Sequence, residues 1–170
     1  MNNKNLTRKE FLKLSGAATA AGLIASTGIT SAVKAQSDEL LHRPIHSTGE
    51  MIPAVGLGTA MTFGDLSEDF SQRKNAIAAL FREGGTVIDT SPTYSDAEQV
   101  VGRALDELGM RDQCFLATKI SIQGKKAGVD QNTKSFMDLR TDKIDLLQVH
   151  NLRDTDAHLE TINMLRDEGK

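Results

Sequence analysis

The chain has 170 residues, 39% of them hydrophobic and 25% charged, a composition that excludes a collagen-like, disordered or predominantly membrane-embedded protein. A net charge of -3 and a pI near 5.8 offer no general attraction to nucleic acid or anionic lipid, and no basic stripe with interleaved aromatics occurs. The single cysteine, Cys114, excludes a disulfide framework or a cysteine-based metal site, and its place in the run Cys114-Phe115-Leu116-Ala117 predicts a small buried hydrophobe.

Residues 1–35 have the three-part shape of an export signal. Arg8, Lys9 and Lys13 supply a positive end. The uncharged stretch 14–33 is rich in Ala, Gly, Ser and Thr, and Val33-Lys34-Ala35 suits cleavage before Gln36. With few Leu and Ile, the stretch is too mildly apolar for a stable membrane span. Thr7-Arg8-Lys9-Glu10-Phe11-Leu12-Lys13 resembles the twin-arginine signal that exports folded proteins, with Lys9 in place of the second arginine. The expectation is an exported, periplasmic protein; a leader that does not function would leave it cytoplasmic. Residues 36–42 read as a linker and 43–170 as the folded domain.

That domain opens with a hairpin, Pro44-Ile45-His46 and Met51-Ile52-Pro53 around a polar turn, of a kind that can plug one end of a barrel. Short apolar runs then alternate with amphipathic stretches, the pattern of βα units and a parallel sheet. Strand 54–58 is followed by helix 69–83, with Asp65 and Ser67 as start candidates and Gly84-Gly85 as its stop. Strand 86–89 leads to helix 96–108, for which Ser95 and Glu98 read as a capping box and Gly109 as the stop. Strand 113–118 ends at Lys119, and a loop through Gly124 and Gly128 precedes helix 130–139. Strand 144–149 ends at His150, and helix 155–167 follows. Both a closed (β/α) barrel and a doubly wound sheet produce this rhythm. Gly56-Leu57-Gly58 is followed by Thr59-Ala60-Met61, without the third glycine of a dinucleotide-binding turn, which favours the barrel.

In parallel α/β folds, reactive groups collect where strands end, because loops there can vary without disturbing the sheet. Asp89, Lys119 and His150 close three successive strands, and Tyr94 follows Asp89 on the same loop. Carbonyl reduction by hydride needs a proton for the developing alkoxide, and a tyrosine phenol can give it. An ammonium beside the ring favours the phenolate by opposite charge, a task that suits Lys119, with Asp89 holding the lysine charged and oriented. A neutral His150 imidazole can donate a hydrogen bond to the substrate oxygen and orient the carbonyl, or share in proton relay.

These residues resemble the aldo-keto reductase family. The matching segments are Ile52-Pro53-Ala54-Val55-Gly56-Leu57-Gly58-Thr59, Val87-Ile88-Asp89-Thr90-Ser91-Pro92-Thr93-Tyr94, Phe115-Leu116-Ala117-Thr118-Lys119, and Asp142 through Asn151. The resemblance implies the first four βα units and the hairpin of a TIM-type (β/α)8 barrel, with Asp89, Tyr94, Lys119 and His150 as the catalytic tetrad. It implies NADPH, or NADH in its place, as hydride donor and a small aldehyde or ketone as substrate. Gly58, Thr59 and Asp89 would border the nicotinamide. Ala60 stands where an aromatic commonly follows Gly-Leu-Gly-Thr, so one wall of the substrate pocket is expected to be missing, and Lys143 replaces a usual tyrosine at the surface. The family's later half supplies most cofactor contacts, so a four-unit chain is expected to keep the tetrad and to expose two sheet edges open to self-association.

Singly, each residue has a plainer reading. Asp89 could cap a loop, Lys119 could be a solvated strand end, Tyr94 a turn aromatic after Pro92, and His150 a core histidine. Jointly, at four matching strand ends, they point to chemistry. His42, His46 and His158 read as hairpin or helix-surface residues without metal-ligand spacing, and Glu107, Arg111, Asp112, Arg166 and Asp167 as solvated helix ends. Two rivals stand beside the reductase: a non-catalytic half-barrel interaction module, and an incomplete gene product.

Overall fold

A computed structural model describes residues 40–64 and 70–170; the leader, the cleavage site and the helix-start candidates Asp65 and Ser67 lie outside them. Strands β1 (His42–Pro44) and β2 (Met51–Pro53) form an antiparallel hairpin, pairing His42 with Pro53. Its first arm lies earlier than the sequence suggests. The Thr48 and Gly49 amides both fold back on the Ile45 carbonyl, so residues 45–49 belong to the turn.

Four parallel strands follow: β3 (Leu57–Gly58), β4 (Val87–Asp89), β5 (Phe115–Ile120) and β6 (Leu146–Val149). They lie in chain order, β3-β4-β5-β6. With right-handed crossovers, a sheet in sequential order carries all its helices on one face, whereas a doubly wound sheet must reverse its order. Helices α1 (Phe70–Arg82), α2 (Ala97–Leu108), α3 (Lys125–Asp138) and α4 (Thr155–Asp167) each pack on the next along that face. Ile88, Leu116 and Ile120 point into this layer with no exposed surface, joined by Ile77, Val100, Val101, Ala104 and Leu105 from the helices. Cys114 lies in the same core, as expected, and burial pushes its thiol up to about 12, too high for a thiolate at neutral pH.

Gly109 ends α2 in the left-handed region (φ 64), with the Met110 amide returning to the Leu105 carbonyl. The expected capping box does not form. Ser95 has φ 52, outside the helix, and no side chain caps the N-terminus of α2. Glu98 instead turns inward, only 2% exposed, and accepts hydrogen bonds from Thr118 Oγ1 on β5 (2.6 Å) and Ser135 Oγ on α3 (3.0 Å). A carboxylate that far from water needs both donors, and two buried hydroxyls outcompete an exposed backbone amide for it.

Helix α3 begins five residues before its expected start, at Lys125, because Gly128 is a helix residue. A Cβ at Gly128 would lie 2.7 Å from the ring of His158, which is fully buried and donates its Nε2 proton to the Ile122 carbonyl (2.5 Å). His158 is therefore the knob between α3 and α4, not the surface residue its helix position suggests. Gly102 plays the same part between α2 and α3, where a Cβ would run into the Asp138 and Leu139 backbone. Arg111 is likewise no solvated helix end: it reaches the Cys114 carbonyl (3.0 Å), Thr141 Oγ1 (2.8 Å), the Lys143 carbonyl and Asp145, tying β5 to the approach of β6. Among the described residues, no helix is long and apolar enough to cross a membrane.

Burial raises the Glu98 carboxyl above its ordinary value of 4.5, against the hydrogen bonds from Thr118 and Ser135 that lower it. Its contribution to stability is then fully present below 4.5 and is lost as pH rises through the raised folded value. Glu98→Gln keeps one acceptor and one donor for the two hydroxyls and cannot ionise. Urea midpoints of the native chain should therefore fall relative to E98Q as pH rises from 4.5 towards neutrality; parallel pH profiles would refute this assignment.

Candidate active site

The parallel register carries the site. Asp89 pairs with Ala117, so Lys119 lies two residues further along β5 on the same face, and Lys119 itself pairs with Gln148 on β6. Lys119 Nζ reaches back to Asp89 Oδ2 (2.6 Å) and to the Thr90 carbonyl (2.8 Å). Gln148 Nε2 donates to the other Asp89 oxygen (3.1 Å), so the carboxylate is held from two strands. The lysine side chain is 11% exposed and the aspartate 41%, which leaves the carboxylate facing the open rim.

Tyr94 reaches this rim through a turn. Its amide donates to the Ser91 carbonyl (3.1 Å), closing Ser91-Pro92-Thr93-Tyr94 with Pro92 at the position where its fixed φ favours the bend. The Lys119 ammonium lies 5.2 Å from the Tyr94 ring centroid. His150 follows β6 and meets the same ring edge-on, centroids 5.8 Å apart at 88°. The four expected residues are thus brought together at one sheet end. Its Nδ1 lies 3.2 Å from Ser91 Oγ and 3.3 Å from Thr93 Oγ1.

Gly58 and Thr59 end β3 at the same rim, with different outcomes. A Cβ on Gly58 would meet nothing within 4 Å, so the backbone there is open to a flat ligand. Thr59 is fully buried; its amide donates to the Asp89 carbonyl (3.1 Å), and its hydroxyl lies 2.9 Å from Thr90 Oγ1 and 3.2 Å from that carbonyl. Thr59, expected to border the nicotinamide, spends these donors clamping β3 to β4. A cleft of about 820 Å³ opens beside Tyr94, lined by Ala60, Met61, Phe63, Arg73 and Thr93 among others. Ala60, an exposed residue, sits in its wall, where the sequence predicts a missing aromatic. The described residues hold no cluster of His, Cys, Asp and Glu able to bind a metal.

Sequence reasoning missed Gln148, Ser91 and Thr93. The signal for Gln148 was its place two residues before His150, hence on the same strand face; Ser91 and Thr93 read as ordinary turn chemistry.

The model of the aldo/keto reductase family matches residues 54–170, and the chain belongs to that family. It is 34% identical over 143 residues to the aldo-keto reductase YhdN of Bacillus subtilis, covering 74% of this chain and 43% of that protein. It is 41% identical over 107 residues to the methylglyoxal reductase YeaE of Escherichia coli, covering 58% of this chain and 35% of that protein. Among solved structures, an aldo-keto reductase of Klebsiella pneumoniae in complex with NADPH superposes with a TM-score of 0.58 at 30% identity, over 68% of this chain and 43% of that one. The fold is accordingly part of a (β/α)8 barrel, and the chain spans less than half the length of these relatives.

Thr59→Val keeps the shape and the amide but removes the hydroxyl, leaving the buried Thr90 Oγ1 without that partner. Denaturation should show a loss of about 1–3 kcal/mol, and an unchanged midpoint would contradict the clamp.

Proposed function

We propose that this chain carries the catalytic rim of an NADPH-dependent aldehyde or ketone reductase, with NADH as the substitute donor. The observation that carries the reading is the convergence of Asp89, Lys119, Tyr94 and His150 at one end of three adjacent parallel strands. The NADPH complex of the Klebsiella relative supports the cofactor, and the methylglyoxal reductase of E. coli supports a small carbonyl substrate. The rim fits such a cofactor: Gly58 leaves open space for a flat ring, and the Asp89 carboxylate faces it. When bound, the reduced nicotinamide supplies a hydride to the carbonyl carbon.

The chain's own residues do the rest. Tyr94 donates its phenolic proton to the developing alkoxide. Lys119 stabilises the phenolate left behind, and Asp89 with Gln148 holds the ammonium in place. His150 donates a hydrogen bond to the carbonyl oxygen and sets its orientation. Tyr94→Phe in the 170-residue chain should lower kcat/KM for methylglyoxal by about 10²–10⁴, measured as NADPH oxidation; an unchanged rate would overturn the assigned proton donor.

One observation favours a second reading. Strands β3 and β6 each have a single neighbour in the sheet, and Leu146 on β6 is 43% exposed, an edge of the kind that recruits a further strand. A non-catalytic half-barrel that self-associates through these edges would sediment as a defined dimer and fail to bind NADPH in titration. A chain that binds NADPH and reduces the aldehyde excludes that reading.

Export belongs to the same proposal, on the sequence of residues 1–35. Residues 1–40 fused to a reporter should carry it to the periplasm, and a wholly cytoplasmic reporter would sink the assignment.

A further inference from the structure

We infer that Ser91 and Thr93 are positioning residues that hold the His150 imidazole in one tautomer, with Nδ1 as acceptor and the proton on Nε2. The inference deepens the reductase reading and rests on it for the direction of the tautomer, while its geometry stands independently.

Three polar groups form a closed triangle behind the ring. Ser91 Oγ lies 3.2 Å from Nδ1, Thr93 Oγ1 lies 3.3 Å from Nδ1, and the two hydroxyls are 2.9 Å apart. The Thr93 amide also donates to Ser91 Oγ (3.2 Å). Ser91 has no exposed surface, so its hydroxyl proton must be used inside this cluster, and the acceptors within reach are Thr93 Oγ1 and Nδ1. Thr93 is exposed and can give its own proton inward to Ser91. One arrangement that uses Ser91 fully runs from Thr93 Oγ1–H to Ser91 Oγ, and from Ser91 Oγ–H to Nδ1. It leaves the proton on Nε2, which has no partner among the described residues.

The opposite tautomer would also fit the triangle, with Nδ1–H donating to a hydroxyl. It would present a bare Nε2 lone pair to the substrate, and a carbonyl oxygen carries only lone pairs. Such a ring could not donate to the carbonyl. The reductase reading therefore requires the Nε2–H tautomer, and holding it is the role inferred for the hydroxyl pair. The turn makes the device rigid: Pro92 fixes the backbone between the two hydroxyls, and the Tyr94-to-Ser91 hydrogen bond fixes the phenol in the same four residues. One turn thus orients both the proton donor and the carbonyl-binding ring.

The test is nitrogen-15 resonance of the four histidine rings in the full chain, with His150 assigned by its loss in His150→Gln. Above the pH of ring titration the native chain should show one neutral His150 tautomer, protonated at Nε2, with ring-to-ring contacts to Tyr94. Thr93→Ser, which keeps a hydroxyl, should preserve both signatures. Ser91→Ala with Thr93→Val should give exchanging tautomers, a displaced Nδ1 resonance and loss of the Tyr94 contacts. If that pair fails to fold, Thr93→Val alone, on the exposed side, should still displace the Nδ1 resonance. A His150 protonated at Nδ1 in the native chain, or an Nδ1 resonance unmoved by these variants, would overturn the inference. The measurement needs neither cofactor nor turnover, so its failure is separate from failure of the Tyr94→Phe assay. Where reduction is measured, the double variant should lose roughly 10- to 100-fold in kcat/KM and Thr93→Ser should retain it; equal loss in both would also overturn it.

Discussion

The Asp89–Lys119 ion pair is the constraint on which the rim depends, because it joins β4 to β5 where β4 stops and one residue before β5 does. A lysine side chain that is only 11% exposed gives up hydration of its charge, a cost that a single partner offsets only with good geometry. The structure surrounds the pair accordingly: the Thr90 carbonyl takes a second lysine proton and Gln148 takes the second carboxylate oxygen. This arrangement tolerates no slip in register. A one-residue shift of β5 would turn Lys119 into the helix layer, where Thr118 and Ile120 now sit buried, and would leave Asp89 uncompensated.

A buried carboxylate elsewhere, Glu98, shows why perturbed ionisation alone is a poor guide to function here. Glu98 and Cys114 are both raised by burial, yet both lie on the helix side of the sheet. Glu98 ties α2 to β5 and α3 through two hydroxyls and has no opening to a ligand. Asp89 has the opposite setting, with a half-exposed carboxylate and a charged partner. Chemistry tracks which face of β5 a residue occupies: Thr118 serves the core and Lys119, next in sequence, serves the rim.

Much of this was legible because the signals were local and periodic. Helix 155–167 forms with those bounds, α2 ends at Gly109, and strand ends at Asp89, Lys119 and His150 converge as parallel neighbours must. What was not legible depended on partners distant in sequence. Gly128 reads as a loop residue and His158 as a surface residue until the two meet, since each makes sense only as space for the other. Arg111 at a helix end and Glu98 at a capping position obey good local rules, and both were claimed by tertiary partners thirty or so residues away. The clamp made by Thr59 was hidden for a related reason: position at a strand end does not say whether a hydroxyl bonds the neighbouring strand.

The placement of hydrogen bonds also separates two properties of the rim. The side-chain bonds that fix Asp89, Lys119 and the His150 ring come from β4, β5, β6 and residues 90–93. The cleft beside Tyr94 is walled by the segment after β3, where Ala60 and Met61 are exposed, together with α1 and residues 93–95. Substitutions in that segment can reshape the cleft without touching the Asp89–Lys119 pair or the hydroxyls at His150. On the proposed reductase reading, reaction type would reside in the sheet ends and substrate choice in the loop that walls the cleft.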